Sequence, residues 1–338
     1  MGVRTLIGSL KDKAALSRAA LLSKPNTVAL RLAVLRATTH CPSSPPRPSH
    51  LAALLSSGHS SRATASALIA ALMDRLHATS DASVALKCLI TVHHIIARGS
   101  FILQDQLSIF PTTGGRNYLK LSAFRDGTTP ASWHLSAWVR WYAAYLERLL
   151  SASRVLGFFL CSSSSAENIE IEEERVSGLT NGVLIKEIDS VVGLLEEFQK
   201  LPDSLHLNEN KLVAEVKELV GRDFLSAINE LAPRVGEERE RLSCLSFGES
   251  VELVCALKRL EDCEERLSEL FLKKKGSTEG FWVMAREMKD AAGKVKACRE
   301  EGWLGMGGRR ESESARFEDR VLKWGNSVRF SSARLDLN

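Results

Sequence analysis

Apolar residues recur along this chain with the spacing of amphipathic helices. In the first stretch Leu6, Ile7 and Leu10 fall on one face, while Lys11 and Lys13 fall on another. Similar stripes continue to about residue 298, and no segment alternates apolar and polar residues as a half-buried strand does. The pattern predicts an all-α protein of many antiparallel helices joined by short turns. Such helices can stack into an irregular solenoid without a fixed sequence repeat.

The most apolar of these segments is "DASVALKCLITVHHIIARG", residues 81–99. Its β-branched residues suggest a strand, but its length and its apolar spacing favour a buried helix. Asp81 is placed to cap the start of this helix, and Gly99 is placed to end it. Within it, His93 is interpreted as a core or interhelical histidine. The tryptophans of the next long helix are interpreted as core and packing residues; these are Trp133, Trp138 and Trp141.

Composition divides the chain into four parts. Residues 1–160 are predicted to form a basic helical solenoid, and residues 161–176 ("CSSSSAENIEIEEERV") a polar, flexible loop. Residues 177–300 continue the helical pattern, and residues 301–338 are predicted to be a weakly ordered tail. The first part holds 18 Lys and Arg but only six Asp and Glu, whereas the remainder holds 27 and 35. A basic half of this kind indicates an anionic partner, either nucleic acid or a membrane surface.

The sequence gives no indication of an enzyme. The phosphate-binding GxxxxGK[ST] and GxGxxG motifs are absent, as are HExxH and GxSxG. No apolar run approaches the ~20 residues of a membrane span, and the first residues lack the apolar core of a secretory signal. Position 6, where N-myristoylation requires Ser or Thr, is Leu6. Seven scattered cysteines are typical of a reducing compartment, so we expect a non-enzymatic, cytoplasmic protein.

One segment combines a helix end, four prolines and several basic groups: "LRATTHCPSSPPRPSH", residues 35–50. Candidate anion-binding residues in and near it are Lys11, Lys13, Arg36, His40, Arg47 and His50. Phosphate recognition needs cationic donors that converge beside exposed backbone N–H groups, and a helix end followed by a new helix start supplies both. A plain solvated basic face explains the same residues. His40, Cys41 and His50 suggest zinc, but no fourth ligand stands at a recognised spacing, so no metal or cofactor is predicted.

"RATTH" followed by a proline-rich turn and "PRPSH" resembles the phosphoinositide-binding signature of ANTH domains, K-A-T-x-(H/N), turn, P-K-x-(K/R)-H. These are the N-terminal domains of PICALM-type clathrin assembly proteins, in the ENTH/ANTH/VHS superfamily. Further segments are similar to the family in the expected order: "RL" at 75–76, "VALKCLITVHHIIARG", "LSAFRD" and "SAWVRWYAAYLERLL". "VLIKEIDSVVGLLEEFQKLPD" is similar to a stretch of short plant members.

The resemblance implies a right-handed solenoid with extended later helices, whose basic tip binds phosphatidylinositol 4,5-bisphosphate. By position, Arg36 replaces the first lysine of the signature, His40 ends the first box, and Arg47 and His50 follow the turn. Pro48 and Ser49 stand where relatives carry lysines, which implies weaker or less selective binding. Lys11 and Lys13 are expected to compensate from the first helix. The apolar face of that helix suits a lipid interface, but the simpler expectation is that it packs on the solenoid.

The resemblance also implies partners. Family members bind clathrin and the helical motif of VAMP-class SNARE proteins, at the plasma membrane in clathrin-coated pits and vesicles, and at the Golgi. The tail motifs DLL, NPF and DPF are absent from this sequence, which puts clathrin binding in question. The prediction is therefore a phosphoinositide-binding adaptor of clathrin-mediated endocytosis. The alternative is a SNARE- or cargo-binding scaffold with a weakened lipid site and no clathrin-assembly activity; nucleic-acid binding is weaker, because no base-reading positions recur.

Overall fold

The computed structural model describes residues 2–22, 25–57, 61–111, 119–160, 169–203, 207, 209–271 and 275–305. Within these ranges the chain forms twelve α-helices and one short 3₁₀ turn, and no strand, which confirms the all-α prediction. The helices are α1 Gly2–Leu22, α2 Pro25–Ala37, α3 Pro48–Ser57, α4 Arg62–Ala78, α5 Ala82–Arg98, α6 Phe101–Ser108, α7 Pro130–Leu156, α8 Ile169–Ser177, α9 Asn181–Gln199, α10 Lys211–Glu240, α11 Phe247–Leu270 and α12 Lys275–Gly305. None of these helices has the length and apolar character that crossing a membrane requires.

Helix α5 is the centre of the molecule. Every residue from Ala82 to Ile96 is buried, and α5 packs against α2, α3, α4, α6, α7 and α10. The carboxylate of Asp81 accepts hydrogen bonds from the N–H groups of Ser83 and Val84, and the N–H of Gly99 donates to the carbonyl of Ile95. Both predicted ends of this helix are therefore confirmed. On either side the packing continues from helix to helix, through α4 and α2 to α1 and through α7, α9 and α11 to α12, as in a solenoid.

A buried polar network joins α5 to α7 and α10. Nε2 of His93 lies 2.8 Å from the carboxylate of Asp223, and its Nδ1 lies 2.7 Å from the hydroxyl of Tyr142. The hydroxyl of Tyr145 donates to the same carboxylate. A carboxylate only accepts, so Nε2 of His93 donates to Asp223. His93 is thus interhelical, as predicted, and it fixes the register of three helices.

Four sequence-based expectations differ from the structure. Residues 169–176 were expected to belong to a flexible loop, but they form α8, because Glu172 and Arg175 join an ion-pair network with the buried Arg234. Such long-range pairs leave no trace in local hydrophobic periodicity. The rest of that predicted loop, 161–168, lies outside the described residues, as do residues 306–338 of the predicted tail; α12 extends through residues 301–305.

The other two differences concern apolar side chains that are exposed. Trp138 and Trp141 are buried, but Trp133 is 56% exposed in the first turn of α7. On α1, Leu6 and Leu10 are each 65% exposed and Ile7 is 49% exposed, so this face does not pack on the solenoid. The helix instead contacts α2 and the turn that follows it through other residues.

Candidate anion-binding site

The segment 38–47 between α2 and α3, here called the basic turn, is held by side chains that bind its carbonyl groups. Prolines supply no N–H donors, so the turn cannot close many hydrogen bonds within its own backbone. Nη2 of Arg75 on α4 donates to the carbonyl of Thr38 at 3.2 Å, and Oγ of Ser83 on α5 donates to that of Pro42 at 3.2 Å. The turn is therefore attached to the two helices beneath it.

Lys87 of α5 makes the most contacts with the basic turn. Its ammonium group donates to the carbonyls of Thr39 at 2.8 Å and Cys41 at 2.7 Å, and to Oγ1 of Thr39 at 3.2 Å. The side chain is buried, at 1% exposure. Burial lowers the pKa of Lys87 from its ordinary value, while nearby acidic groups, among them Asp12, oppose that shift. A buried ammonium with three acceptors fixes the turn and adds positive potential beneath it.

Helix α1 closes over the basic turn from the other side. The carboxylate of Asp12 accepts from the backbone N–H of His40 at 3.0 Å and lies 2.6 Å from Nδ1 of its ring. Gly8 is buried at this contact, and a Cβ added there would lie 3.1 Å from Cβ of His40. Nδ1 donates to the carboxylate, so Nε2 is the ring nitrogen left for another partner. Lys11 and Lys13 flank Asp12 in the chain, and both are exposed.

The structure brings the six candidate residues to one end of the solenoid. Arg36 is exposed in the last turn of α2, and Arg47 is exposed immediately before α3. The carbonyl of Arg47 accepts from the N–H of His50 at 2.9 Å, so both residues belong to the start of α3. Pro48 occupies the first position of that helix, where its missing N–H costs nothing. His50 is half-buried, and its Nδ1 is buried without a hydrogen-bond partner among the described residues.

The exposed cations of this end are not neutralised by acidic side chains. Among the described residues, no carboxylate lies within 4 Å of Lys11, Lys13, Arg36 or Arg47. His40 differs, because Asp12 holds it. Among all the residues that the structure describes, no group of three His, Cys, Asp or Glu side chains is arranged to hold a metal ion. The arrangement suits a ligand with several negatively charged oxygens.

Sequence reasoning missed Lys87 and Asp12. Lys87 belongs to "VALKCLITV", where it is the one charged residue in a long apolar run. That isolation was a usable signal, because lysine is almost never fully buried unless its ammonium has partners. Asp12 gave no such signal, since an acidic residue on a basic helix also suits a solvated face.

Comparisons with known proteins agree with this architecture. Residues 29–217 match the family model described as "ANTH domain". Three Arabidopsis thaliana proteins, each carrying the name "Putative clathrin assembly protein", are similar over most of their length. One is 54% identical over 339 residues, with 97% of this chain and 93% of the relative covered. The second is 32% identical with 85% and 86% covered, and the third is 32% identical with 85% and 98% covered.

Proposed function

Because the chain belongs to the ANTH-domain family of clathrin assembly proteins, we propose that it is a non-enzymatic peripheral adaptor of clathrin-mediated endocytosis. Its basic turn binds the headgroup of phosphatidylinositol 4,5-bisphosphate through Arg36, His40, Arg47 and His50. Lys11 and Lys13 contribute from α1. The adaptor acts at the cytoplasmic face of plasma-membrane coated pits and vesicles, and at the Golgi.

One observation carries this proposal: the basic turn, held by side chains beneath it, presents several cations that have no acidic partner among the described residues. Lys87, Ser83 and Arg75 hold the turn from below, so its conformation is set before a ligand arrives. Binding to such a site loses little conformational entropy. Arg36 and Arg47 project from the helix ends on either side of the turn, and guanidinium groups suit phosphate oxygens well.

Helix α1 supports the same orientation towards a membrane. Its exposed Leu6, Ile7 and Leu10 lie on the helix that carries Lys11 and Lys13. An apolar stripe flanked by lysines is the arrangement of helices that lie in the interface between water and lipid. We therefore include this stripe in the proposed membrane contact.

A flotation assay tests the headgroup site. We expect Arg36→Glu/Arg47→Glu to bind vesicles containing phosphatidylinositol 4,5-bisphosphate at least about tenfold more weakly, since each basic group near an anionic surface contributes on the order of 1 kcal/mol. Arg222→Glu/Arg266→Glu is the matched control, because it reverses two exposed arginines on α10 and α11. Equal flotation of the site variant and the unmodified protein would show that the headgroup binds elsewhere.

The other proposed partners are clathrin and a VAMP-class SNARE helix. The SNARE helix binds a groove on the later helices. A groove of about 500 Å³ lies between α11 and α12, lined in part by Val254, Lys258 and Gly293. If the lipid assay fails while a VAMP-derived peptide binds, the chain is a cargo-binding scaffold with a decayed lipid site. Pro48 and Ser49, in place of the family's lysines, are the observation that favours this second candidate.

A further inference from the structure

Two arginines, Arg125 before α7 and Arg140 within it, lie close together without an acidic partner among the described residues. Nη1 of Arg125 donates to the carbonyl of Phe124 at 2.8 Å, and Nη1 of Arg140 donates to the same oxygen at 2.9 Å. In the described part of the chain no carboxylate lies within 4 Å of either guanidinium group. Burial and the neighbouring Arg125 lower the pKa of Arg140 from its ordinary value. Two like charges that share one carbonyl oxygen repel each other, and a bound anion would relieve that repulsion.

An exposed indole lies on the same face of α7. Trp133 precedes Ala137 and Arg140 by one and two helical turns, so the three side chains share one stripe of the helix. Its 56% exposure contrasts with Trp138, Trp141 and Trp282, none of which exceeds 6%. An exposed tryptophan beside unpaired arginines is the combination that proteins place at the boundary between water and lipid.

Hydrogen bonds place this cluster at the same end of the molecule as the basic turn. The carbonyl of Pro42 in the turn binds Oγ of Ser83 at the start of α5. The adjacent N–H of Ala82 donates to Oδ2 of Asp126 at 3.0 Å, and Asp126 directly follows Arg125 in the chain. The acidic groups between the two sites are already bound, because Asp81 caps α5 and the buried Asp126 accepts from Ala82 and Thr128. These hydrogen bonds do not cancel the charges of the two carboxylates, but they hold both against the protein, whereas the side chain of Arg125 is exposed.

We propose that Trp133, Arg125 and Arg140 form a second membrane contact, in which the two guanidinium groups bind phosphates of anionic lipids and the indole enters the interfacial region. This inference rests on the proposed function, because it requires that the end carrying the basic turn faces a membrane. The two contacts together define a line on the protein surface, so they restrict the tilt of the solenoid on the bilayer more than one headgroup alone does. Multiple contacts of moderate strength on one rigid body also raise overall affinity.

The first test measures vesicle binding. On vesicles of phosphatidylcholine, phosphatidylserine and phosphatidylinositol 4,5-bisphosphate, we expect Trp133→Ala/Arg125→Ala to need about tenfold more lipid for half-maximal binding, of which the arginine alone accounts for about fivefold. Phe101→Ala/Arg62→Ala is the matched control, since it removes an exposed aromatic and an exposed arginine at the starts of α6 and α4, away from the basic turn. This control is expected to bind within twofold of the unmodified protein.

The second test follows the indole itself. Adding vesicles is expected to shift tryptophan emission of the unmodified protein to shorter wavelength, and Trp133→Phe, which keeps the fold, is expected to lose that shift. The inference is overturned if Trp133→Ala/Arg125→Ala binds like the unmodified protein, if the control loses as much, or if Trp133→Phe shifts equally. Failure of the proposed function is distinguishable, because it appears as unchanged binding by Arg36→Glu/Arg47→Glu. Absence of any vesicle binding by the unmodified protein overturns both.

Discussion

The basic residues in the two halves of the molecule bind different partners. In residues 1–160, buried and half-buried cations donate to backbone carbonyls, as Lys87 does to Thr39 and Arg154 to Ser108. Arg62 with Asp105 is the one pair of this half, within its described residues, that joins a Lys or Arg to a carboxylate. In the described part of residues 169–305 nine cations bind carboxylates, and two of them, Arg234 and Arg241, also donate to carbonyls. The nine are Arg175, Lys200, Arg234, Arg239, Arg241, Arg259, Arg266, Arg286 and Lys289.

The two kinds of partner, carbonyl and carboxylate, have different effects on the charge of a cation. A carbonyl orients a cation but does not cancel its charge, so the first half stays positive while its loops are held. A carboxylate cancels the charge of the cation that it binds, so the paired cations of the second half link helices without adding positive potential. Arg259, for example, joins α11 to Glu196 and Asp189 of α9. The first half therefore keeps its positive charge, as the proposed anion site requires, and the paired cations of the second half hold long helices in register.

The largest expected effect comes from breaking the carboxylate network of the second half. Arg234 is fully buried and binds Glu172, Glu187 and Glu230. Arg234→Met leaves buried carboxylates without a cation, and we expect the free energy of unfolding to fall by about 3–5 kcal/mol, measured by chemical denaturation. Lipid binding by the folded protein is expected to remain unchanged.

The control for this variant is Arg239→Met, because Arg239 and Glu287 form an exposed pair. Exposed pairs contribute little, so the free energy of unfolding should change by less than about 1 kcal/mol. Equal losses from the two variants would contradict the role given to the buried network.

The second-largest effect is expected in the first half of the molecule. There the free energy of unfolding falls less than in Arg234→Met, but vesicle binding weakens clearly. Lys87→Met keeps the length of the side chain but leaves the carbonyls of Thr39 and Cys41 without their donor. We expect the free energy of unfolding to fall by about 1–3 kcal/mol and vesicle binding to weaken more than about tenfold, roughly the loss of two surface charges. Lys186→Met, an exposed lysine of α9, serves as the control. If Lys87→Met binds vesicles as tightly as Lys186→Met does, the lipid site does not depend on the conformation of the basic turn.

The smallest effect concerns a buried acidic residue of the second half, Glu238, which forms no ion pair within 4 Å among the described residues. Burial raises the pKa of Glu238 from 4.5 to about 7, Arg241 opposes the shift, and neither carboxyl oxygen has a hydrogen-bond partner among the described residues. The folded state therefore keeps a proton that the unfolded chain releases above pH 4.5, so stability from this group is lost as pH rises through 7. We expect Glu238→Gln to raise the melting temperature at pH 8 by roughly 2–4 °C and to leave it unchanged at pH 4.

Glu240→Gln is the matched control for this pH series, because Glu240 lies two residues further along α10 and is exposed. Its melting temperature should follow that of the unmodified protein at both pH values. The comparison isolates Glu238 even though burial also raises the pKa of Glu230, to about 6, since Glu230 is present in every variant. A pH-independent difference between Glu238→Gln and the unmodified protein would indicate a packing effect instead.

The sequence was informative where local rules decide the structure. The spacing of Val84, Cys88, Val92 and Ile95 predicts α5, and Asp81 and Gly99 predict its ends, because periodicity and capping act within a few residues. The helix α8 was missed, since its fold depends on Arg234, some sixty residues further along the chain. Burial of the α1 face was wrongly expected, because the pattern of one helix does not say whether a partner helix is present.

For the candidate site, the sequence predicted which basic residues belong to it. It did not predict the contacts that hold the basic turn in place. Arg36, His40, Arg47 and His50 lie at one end of the solenoid, as the segment 35–50 suggested. The sequence did not reveal that Lys87 and Asp12 hold the turn, because both contacts join residues that are far apart in the chain. It also did not reveal that Trp133 is exposed, since a tryptophan in an apolar pattern is most often buried.

Alanine in place of Gly8 would bring a Cβ to 3.3 Å from the carbonyl oxygen of His40, so the close approach of α1 to the turn depends on the absence of a side chain there. Asp12 holds the same histidine one turn further along α1. If a ligand binds more tightly when α1 is docked on the turn, then binding of that ligand strengthens the docking of α1. The affinity of the ligand and the docking equilibrium of α1 change by the same factor. Substitutions in α1 that weaken its docking are therefore expected to lower the affinity of the site, even at positions that no ligand touches.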